Sequence, residues 1–299
     1  MRTEHRTYKA SCVCFDALGK QLTPLLHLRT SLIVDTNCGD HTNTIVLGAH
    51  SDSVGAGPGI NDNGSGVIAL MEVAKALAQF RVQNAVRFCF WTAEEFGLVG
   101  STKYLEGLSA ADRDNIALYL NFDMIASPNY AYFVYDGDGS ASNTTSNTTS
   151  NLIGPAGSGE IQKVFTDYFT LRHKKVKPTP LNGRSDYAPF IEAGIPSGGL
   201  FTGASGIKTK AEADEYGGTA GEWYDSNYHR AGDNATNLNY DAWSVNMKAI
   251  AHAVAIYANS TANIPKRKPQ TGKFKRNIWQ QQPEGTFHYS PCGHKVHLL

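Results

Sequence analysis

Six side chains able to hold a metal or move a proton occur along this chain in the order His50, Asp62, Glu94, Glu95, Asp123 and His229. They lie in the segments AHSDS (49–53), GINDNGSG (59–66), TAEEFGLVGS (92–101), NFDM (121–124) and NYHRAGD (227–233). Histidine nitrogens and carboxylate oxygens are zinc donors, and each zinc takes about four of them at about 2.0–2.2 Å. Two such ions carry four positive charges, which Asp62, Glu95, Asp123 and one shared hydroxide would balance. The set divides without remainder: His50, Asp123 and a bridging Asp62 for one ion, His229, Glu95 and the same Asp62 for the other. Glu94, beside a ligand, is then free to act as a general base. Tyr228, beside His229, can donate a hydrogen bond to a developing oxyanion. Asp52 is placed to accept the second N–H of His50, and Asp233 to do the same for His229.

Singly, each motif has a plainer reading. A Glu-Glu pair is usually a solvated helix start, and a lone histidine after a strand is usually just a satisfied polar group. GINDNGSG reads equally as a turn with Gly59 and Gly64 at positive φ and Asp62 or Asn63 capping a helix. The joint placement of these residues gives them weight. Short apolar runs at 31–35, 44–49, 84–91, 116–122, 131–135 and 197–201 predict strands, several apolar on both faces and so buried between two layers. His50, the Glu94–Glu95 pair and Asp123 each fall at the C-terminal end of one of them, where ligands gather in open α/β sheets. Val67, Leu70, Met71, Ala74, Leu77 and Ala78 mark one helix, and Trp243, Met247, Ile250, Val254 and Tyr257 another. The pattern predicts an α/β fold in three layers, a mostly parallel mixed sheet with helices on both faces.

At 299 residues, 41% of them apolar, the chain can bury one full core without a second domain. We divide it into 1–29, unmatched; 30–261, the catalytic body; and 262–299, a basic tail with seven Lys/Arg against one acid, read as disordered because it lacks helical periodicity. That tail has no aromatic interleaving, so no nucleic-acid partner is expected. No run approaches the roughly 18 apolar residues of a membrane span, and the start MRTEHRTYKA lacks an apolar leader. Sequons at Asn63, Asn143, Asn147, Asn234 and Asn259 point the other way, to a secretory route. Cys12, Cys14, Cys38, Cys89 and Cys292 define no disulfide framework. His252 reads as structural, and Cys292, His294 and His297 as a cluster with no fold to hold it.

The motifs GAHSDSV, GPGINDNGSGV, WTAEEFGLVGS, NFDMI, GRSDYAPFIEAGIPSGGLFTGA and NYHRAGDN resemble those of the secreted co-catalytic di-zinc aminopeptidases of bacteria and fungi, over about residues 30 to 260. The resemblance implies a metallo-aminopeptidase that hydrolyses the N-terminal peptide bond of peptides with a free N-terminus, preferring large apolar first residues. It implies two Zn²⁺ per monomeric chain, held by the ligands named above, and a secreted or endomembrane/vacuolar location. It adds a substrate site: Arg184 near the peptide backbone, with Met124, Gly183 and Phe201 around an apolar pocket, Phe201 being read equally as core. The substrate amine is expected at Glu94 and Asp123, and a cis peptide after Asp62. Three features depart from the family. A disulfide bracketing the Tyr-His pair is replaced by Asn227 and Gly232, so something else must hold that loop. Only 49 residues precede His50, and 262–299 runs past the usual end. Alternatives on the same fold are a glutaminyl-cyclase-like or carboxypeptidase relative, and a non-catalytic receptor-like homologue. A further alternative is a chain that folds poorly for want of N-terminal helices.

Overall fold

The computed structural model describes residues 6–10, 31–140, 152–269, 271–276, 288–289 and 295–296. Cys12, Cys14, the sequons at Asn143 and Asn147, and the Cys292, His294 and His297 cluster lie outside them.

Strands apolar on both faces form the centre of the sheet, as their sequences require. In β3 (Asp40–His50), β4 (Asn84–Trp91) and β5 (Ile116–Phe122), Ile45, Leu47, Val86, Phe88, Leu118 and Leu120 face one core. Their alternates Val46, Cys89, Trp91 and Tyr119 face a second. Each such fully buried large apolar side chain contributes about 1.5–3 kcal/mol, so a one-residue slip would expose neither face cheaply. These three strands and β8 (Ser197–Phe201) run parallel, while β2 (Leu32–Thr36) and β6 (Phe133–Tyr135) run antiparallel to their inner neighbours. With β1 (Arg6–Ala10) and β7 (Lys177–Thr179) at the edges, the order is β1-β2-β4-β3-β5-β8-β6-β7. The edge strand β7 escaped the sequence reading because it is three residues long and contains a proline, which an edge tolerates.

Helices α1 (Ser65–Leu77), α4 (Ser158–Leu171) and α7 (Tyr240–Asn259) cover the first core. The second is covered by α2 (Val99–Gly107) and α5 (Tyr187–Glu192), with the short α3 (Ala110–Asp114) following α2. On α1 the buried stripe is Ala69, Leu70, Val73 and Ala74, and Met71, expected inside, is exposed. The cause is Gly66: a Cβ there would lie 2.3 Å from the carbonyl oxygen of Phe122, so this face of the helix presses directly on β5.

The basic tail is not free along its first part. Arg267 donates to the carbonyls of Arg113 and Ile116 at 2.8 and 2.6 Å, Arg113 donates to that of Gly272, and Arg276 pairs with Glu192 at 2.8 Å. Phe274 packs on the second core. Charge composition suggested a solvated tail, but two of its arginines are taken up by the body, Arg267 at the Ile116 end of β5 and Arg276 at Glu192 of α5. Further on, β9 (His288–Tyr289) pairs with β10 (Lys295–Val296).

The lobe after β8 carries α6 (Lys210–Tyr216), opened by a reciprocal cap in which Thr209 accepts from the backbone of Glu212 and Glu212 accepts from that of Thr209. Glu212 is buried and also takes the Tyr224 hydroxyl at 2.7 Å and the Lys177 ammonium at 3.1 Å. Burial pushes its carboxyl up, but the Thr209, Tyr224 and Lys177 donors outweigh this and hold it at about 2. Its folded pKa lies below the unfolded value of about 4.3. It therefore stabilises the fold fully above that value and stops doing so as pH falls toward 2. Urea unfolding of Glu212→Gln should show a variant less stable than the parent at pH 7, with the gap narrowing between about pH 4 and 2; a gap constant with pH would contradict this assignment.

Candidate metal centre and substrate cleft

The six chemical residues meet at the C-terminal ends of the parallel strands. His50 is the last residue of β3, Glu94 and Glu95 follow β4, and Asp123 directly follows β5. Asp62 sits in the single turn Ile60–Gly64 leading into α1, and His229 in the loop beyond α6. His50 Nε2 is 3.1 Å from Asp62 Oδ1 and 3.3 Å from Asp123 Oδ1. His229 Nε2 is 3.2 Å from Asp62 Oδ2 and 3.1 Å from Glu95 Oε2. Two donors on one tetrahedral ion with bonds near 2.0–2.1 Å lie roughly 3.3 Å apart, which is the spacing seen in both groups. Asp62 turns one oxygen to each histidine; His50, Asp62 and Asp123 form one group of ligand atoms close enough to hold a cation, Asp62, Glu95 and His229 a second, and His50, Glu94 and Glu95 a third.

Hydrogen bonding leaves this site able to ligate a cation. His50 Nδ1 lies 3.1 Å from the backbone carbonyl of Asp52, which can only accept. Nδ1 can therefore donate to it, and Nε2 is the nitrogen that faces the two carboxylates and, in the neutral ring, offers a lone pair to a cation. Glu95 Oε1 is buried with no hydrogen-bond partner, an orphan acceptor of the kind a cation would satisfy.

The electrostatics call for positive charge. Asp62, Glu94 and Asp123 are buried, and among the described residues no Lys or Arg pairs with them or with Glu95. Burial raises Glu94 well above its ordinary value, with Asp123, Asp186 and Glu95 adding to the push and His50 opposing it. Burial likewise raises Glu95. Burial opposes charge on His229 too, but Asp62 and Glu95 overcome it and lift the imidazole to about 9; Asp62, held by both imidazoles against its own burial, falls to about 2. A divalent N/O-ligated cation fits this donor set.

Two supporting roles differ from expectation. The Asp52 carboxylate is 3.6 Å from His50 Nδ1 and instead accepts the backbone N–H groups of Glu94 and Glu95 at 3.1 and 3.2 Å. It serves His50 through its main-chain carbonyl and the glutamates through its side chain. Asp233 accepts the N–H groups of Asn61 and Asp62 at 2.8 and 3.0 Å, and so fixes the Asp62 turn and not His229. Gly59 has positive φ as expected, whereas Gly64 is helical at φ −54°. The peptide after Asp62 is cis. The sequon residue Asn63 is buried, donating to the Phe122 carbonyl and accepting from the N–H groups of Gly66 and Met124.

In place of a disulfide, a polar net holds the His229 loop. Asn227 donates to Asn237, Asn237 donates to Asp225, and Asn61 donates to Asp225 at 2.7 Å, tying this loop to the Asp62 turn. A side chain at 232 would collide with Asn227 Oδ1, 2.1 Å from a Cβ built on Gly232. Ser185 donates to Asp123 Oδ2 at 2.5 Å and accepts from Asn121 at 2.8 Å. The sequence reading missed Asn61, Asn121, Ser185, Asp225 and Asn237; only their nearness to the quoted motifs could have drawn attention to them. Three residues of the site, Ala93, Met124 and His229, hold positive φ of 55°, 49° and 59°, a strained backbone for side-chain-bearing residues.

A cavity of about 310 Å³ opens from the carboxylates and is walled by Met124, Phe133, Phe201 and Tyr224, with Arg184 and Tyr228 also lining it. Phe201 both lines it and packs on the second core. Gly183 is not part of its wall. Its N–H bonds to the Tyr187 hydroxyl, and its turn (φ +79°) presents Asn182 and Arg184 instead. Stacked on His229 with ring centroids 3.8 Å apart, Tyr228 is pushed upward by burial and by Asp62, and so remains a neutral O–H donor.

Because Asp233 grips the turn that carries the shared ligand, Asp233→Ala should weaken metal binding about 10- to 100-fold in a chelator competition. Unchanged affinity would return Asp233 to a purely structural role.

Comparison with known proteins agrees with this geometry. The profile of Peptidase family M28 matches residues 31–254. A probable leucine aminopeptidase 2 of Aspergillus fumigatus is 55% identical over 258 residues, which is 86% of this chain and 50% of that protein. The leucine aminopeptidase 2 of Trichophyton rubrum is 52% identical over 265 residues, covering 88% and 51%. The chain thus spans about half the length of the curated relatives it matches. In fold it is similar to a zinc aminopeptidase from Bacillus subtilis, with a TM-score of 0.60 at 23% identity over 77% of this chain and 50% of that one. The LapA structure of Legionella gives 0.56 at 21%, over 77% and 57%. With three-quarters of its length inside the profile and its donor residues in that span, the chain belongs to Peptidase family M28.

Proposed function

We propose that the protein is a zinc-dependent aminopeptidase that binds two Zn²⁺ and removes large apolar residues from the free N-terminus of peptides. The observation that carries this reading is Asp62, which offers one oxygen to each of two histidine–carboxylate groups within a cavity that also contains an uncommitted Glu94. The names of the relatives support it, as does the apolar wall of a cavity large enough for a leucine side chain. His50, Asp62 and Asp123 would hold one ion, and His229, Glu95 and Asp62 the other. Bound zinc supplies Lewis acidity at the scissile carbonyl and at the attacking water.

The chain's own groups do the rest. Glu94, buried in the cavity beside Glu95, takes the proton of the attacking water and returns it to the departing amine. Tyr228 donates to the oxyanion. Glu94 and Asp123 hold the substrate's α-ammonium, which a blocked N-terminus lacks, and Met124 and Phe201 receive the first side chain. The reading takes the protein to be a monomer. Exposed sequons at Asn234 and Asn259 support a secreted or endomembrane location and a glycosylated protein. No described helix is long and apolar enough to cross a membrane.

Hydrolysis of leucyl p-nitroanilide should require metal, stop with a chelator and recover with zinc, and elemental analysis should give two zinc equivalents per chain. One equivalent with cyclisation of N-terminal glutamine, or cleavage of N-blocked peptides, would replace this reading with a cyclase or a carboxypeptidase. Metal-free protein that binds peptides without cleaving them would leave a receptor. Glu94→Gln should retain both metals and lose at least about 10²-fold in kcat; full activity with metal bound would remove Glu94 from the mechanism.

A further inference from the structure

The cleft is acidic at its metal end and aromatic along its wall, yet one guanidinium stands in it without an ion-pair partner among the described residues. Among the described residues lining the cavity, Arg184 is the sole Lys or Arg. Its main chain is fixed: its N–H donates to Asn182 Oδ1 at 3.1 Å, and Asn182 is itself held by the Tyr187 hydroxyl at 2.9 Å. Its side chain is exposed and makes no ion pair with a described residue, although four carboxylates line the same cavity. It shares the lining of the cavity with Tyr228.

These facts give the cleft a direction. A substrate whose amine meets Glu94 and Asp123, and whose first side chain fills the space between Met124 and Phe201, leaves its second residue to the rest of the lining, where Arg184 stands exposed. An unpaired guanidinium there is a ready partner for a carboxylate.

We propose that Arg184 binds a carboxylate on the residue that follows the scissile bond, so that the enzyme favours either the free C-terminus of a dipeptide or an acidic second side chain. The proposal rests on the aminopeptidase reading. It goes beyond a contact to the peptide backbone, which would be indifferent to charge on that residue.

The test compares kcat/KM of the zinc-loaded full chain on Leu-Gly, Leu-Gly-amide, Leu-Asp-amide and Leu-Asn-amide. Leu-Gly over its amide reports the C-terminal carboxylate, and Leu-Asp-amide over Leu-Asn-amide reports the side chain. At least one ratio should be about three- to fivefold, the range of a solvent-exposed ion pair. It should shrink as ionic strength rises from about 0.02 to 0.5 M, because the pair is screened. In Arg184→Gln the ratio should collapse toward one whatever happens to the absolute rates, and Arg184→Lys should restore part of it.

Ratios near one in the parent protein, ratios insensitive to salt, or ratios unchanged in Arg184→Gln would each overturn the proposal while leaving the aminopeptidase intact. Hydrolysis of none of the four substrates would instead overturn the aminopeptidase reading itself, and this proposal with it.

Discussion

The constraint on which the site depends is the crowding of buried negative charge. Asp62, Glu94, Glu95 and Asp123 converge on one cavity, and the described structure supplies no lysine or arginine to pair with them. Unpaired buried carboxylates cost several kcal/mol each unless they take up protons or meet cations. Two imidazoles placed between the carboxylates, with one nitrogen of His50 committed to a backbone carbonyl, mitigate the repulsion without cancelling it. The fold is therefore assembled around a deficit of positive charge, and metal affinity is the thermodynamic expression of that deficit.

Holding such a cluster together requires rigid loops, and here the rigidity is polar. The turn bearing Asp62 is clamped from one side by Asp233 and from the other by Asn63, whose amide reaches the end of β5. Asp225, accepting from Asn61 and Asn237, binds that turn to the loop of His229. Each neutral bond of this kind contributes about 1 kcal/mol, but leaving a buried partner unmet costs more, so the net is cooperative by construction. It meets the requirement created by Asn227 and Gly232 standing where a covalent bracket was expected. The positive φ of His229 shows that the loop is held against a local conformational preference.

How far the sequence can be read follows from what kind of information each feature needs. The convergence of the candidate metal ligands was legible because their residue types are chemically restrictive and three of the clusters fall at strand ends, which apolar periodicity locates. The double-faced strands were legible for the same reason, since Val46 and Leu47 are both apolar and can be satisfied only by two cores. The roles of Asp52 and Asp233 were not, because they turn on which oxygen meets which N–H across shifts of an ångström. Asn61 and Asp225, separated by 164 residues, are common turn residues whose pairing no local pattern records. On α1 the period was visible but its phase was not, since the contact of Gly66 with β5 sets the rotation. In the tail, charge composition concealed that Arg267 and Arg276 have partners in the body.

The same few residues join specificity to chemistry. Asp123 and Met124 are consecutive, one facing His50 and the other the apolar cavity, and this divergence is made possible by the left-handed backbone at Met124. Its N–H is taken by Asn63, which follows the shared ligand Asp62, and its carbonyl by both the N–H and the hydroxyl of Thr202, which follows the pocket residue Phe201. A side chain filling the pocket thus presses on a segment tied at both ends to the metal cluster and the pocket wall. Poor filling would leave the adjacent carboxylate less well restrained just where charge develops in the transition state. On the proposed function, a preference for large first residues should accordingly be expressed in turnover as well as in binding, because the pocket residue and the proposed metal ligand occupy one strained dipeptide.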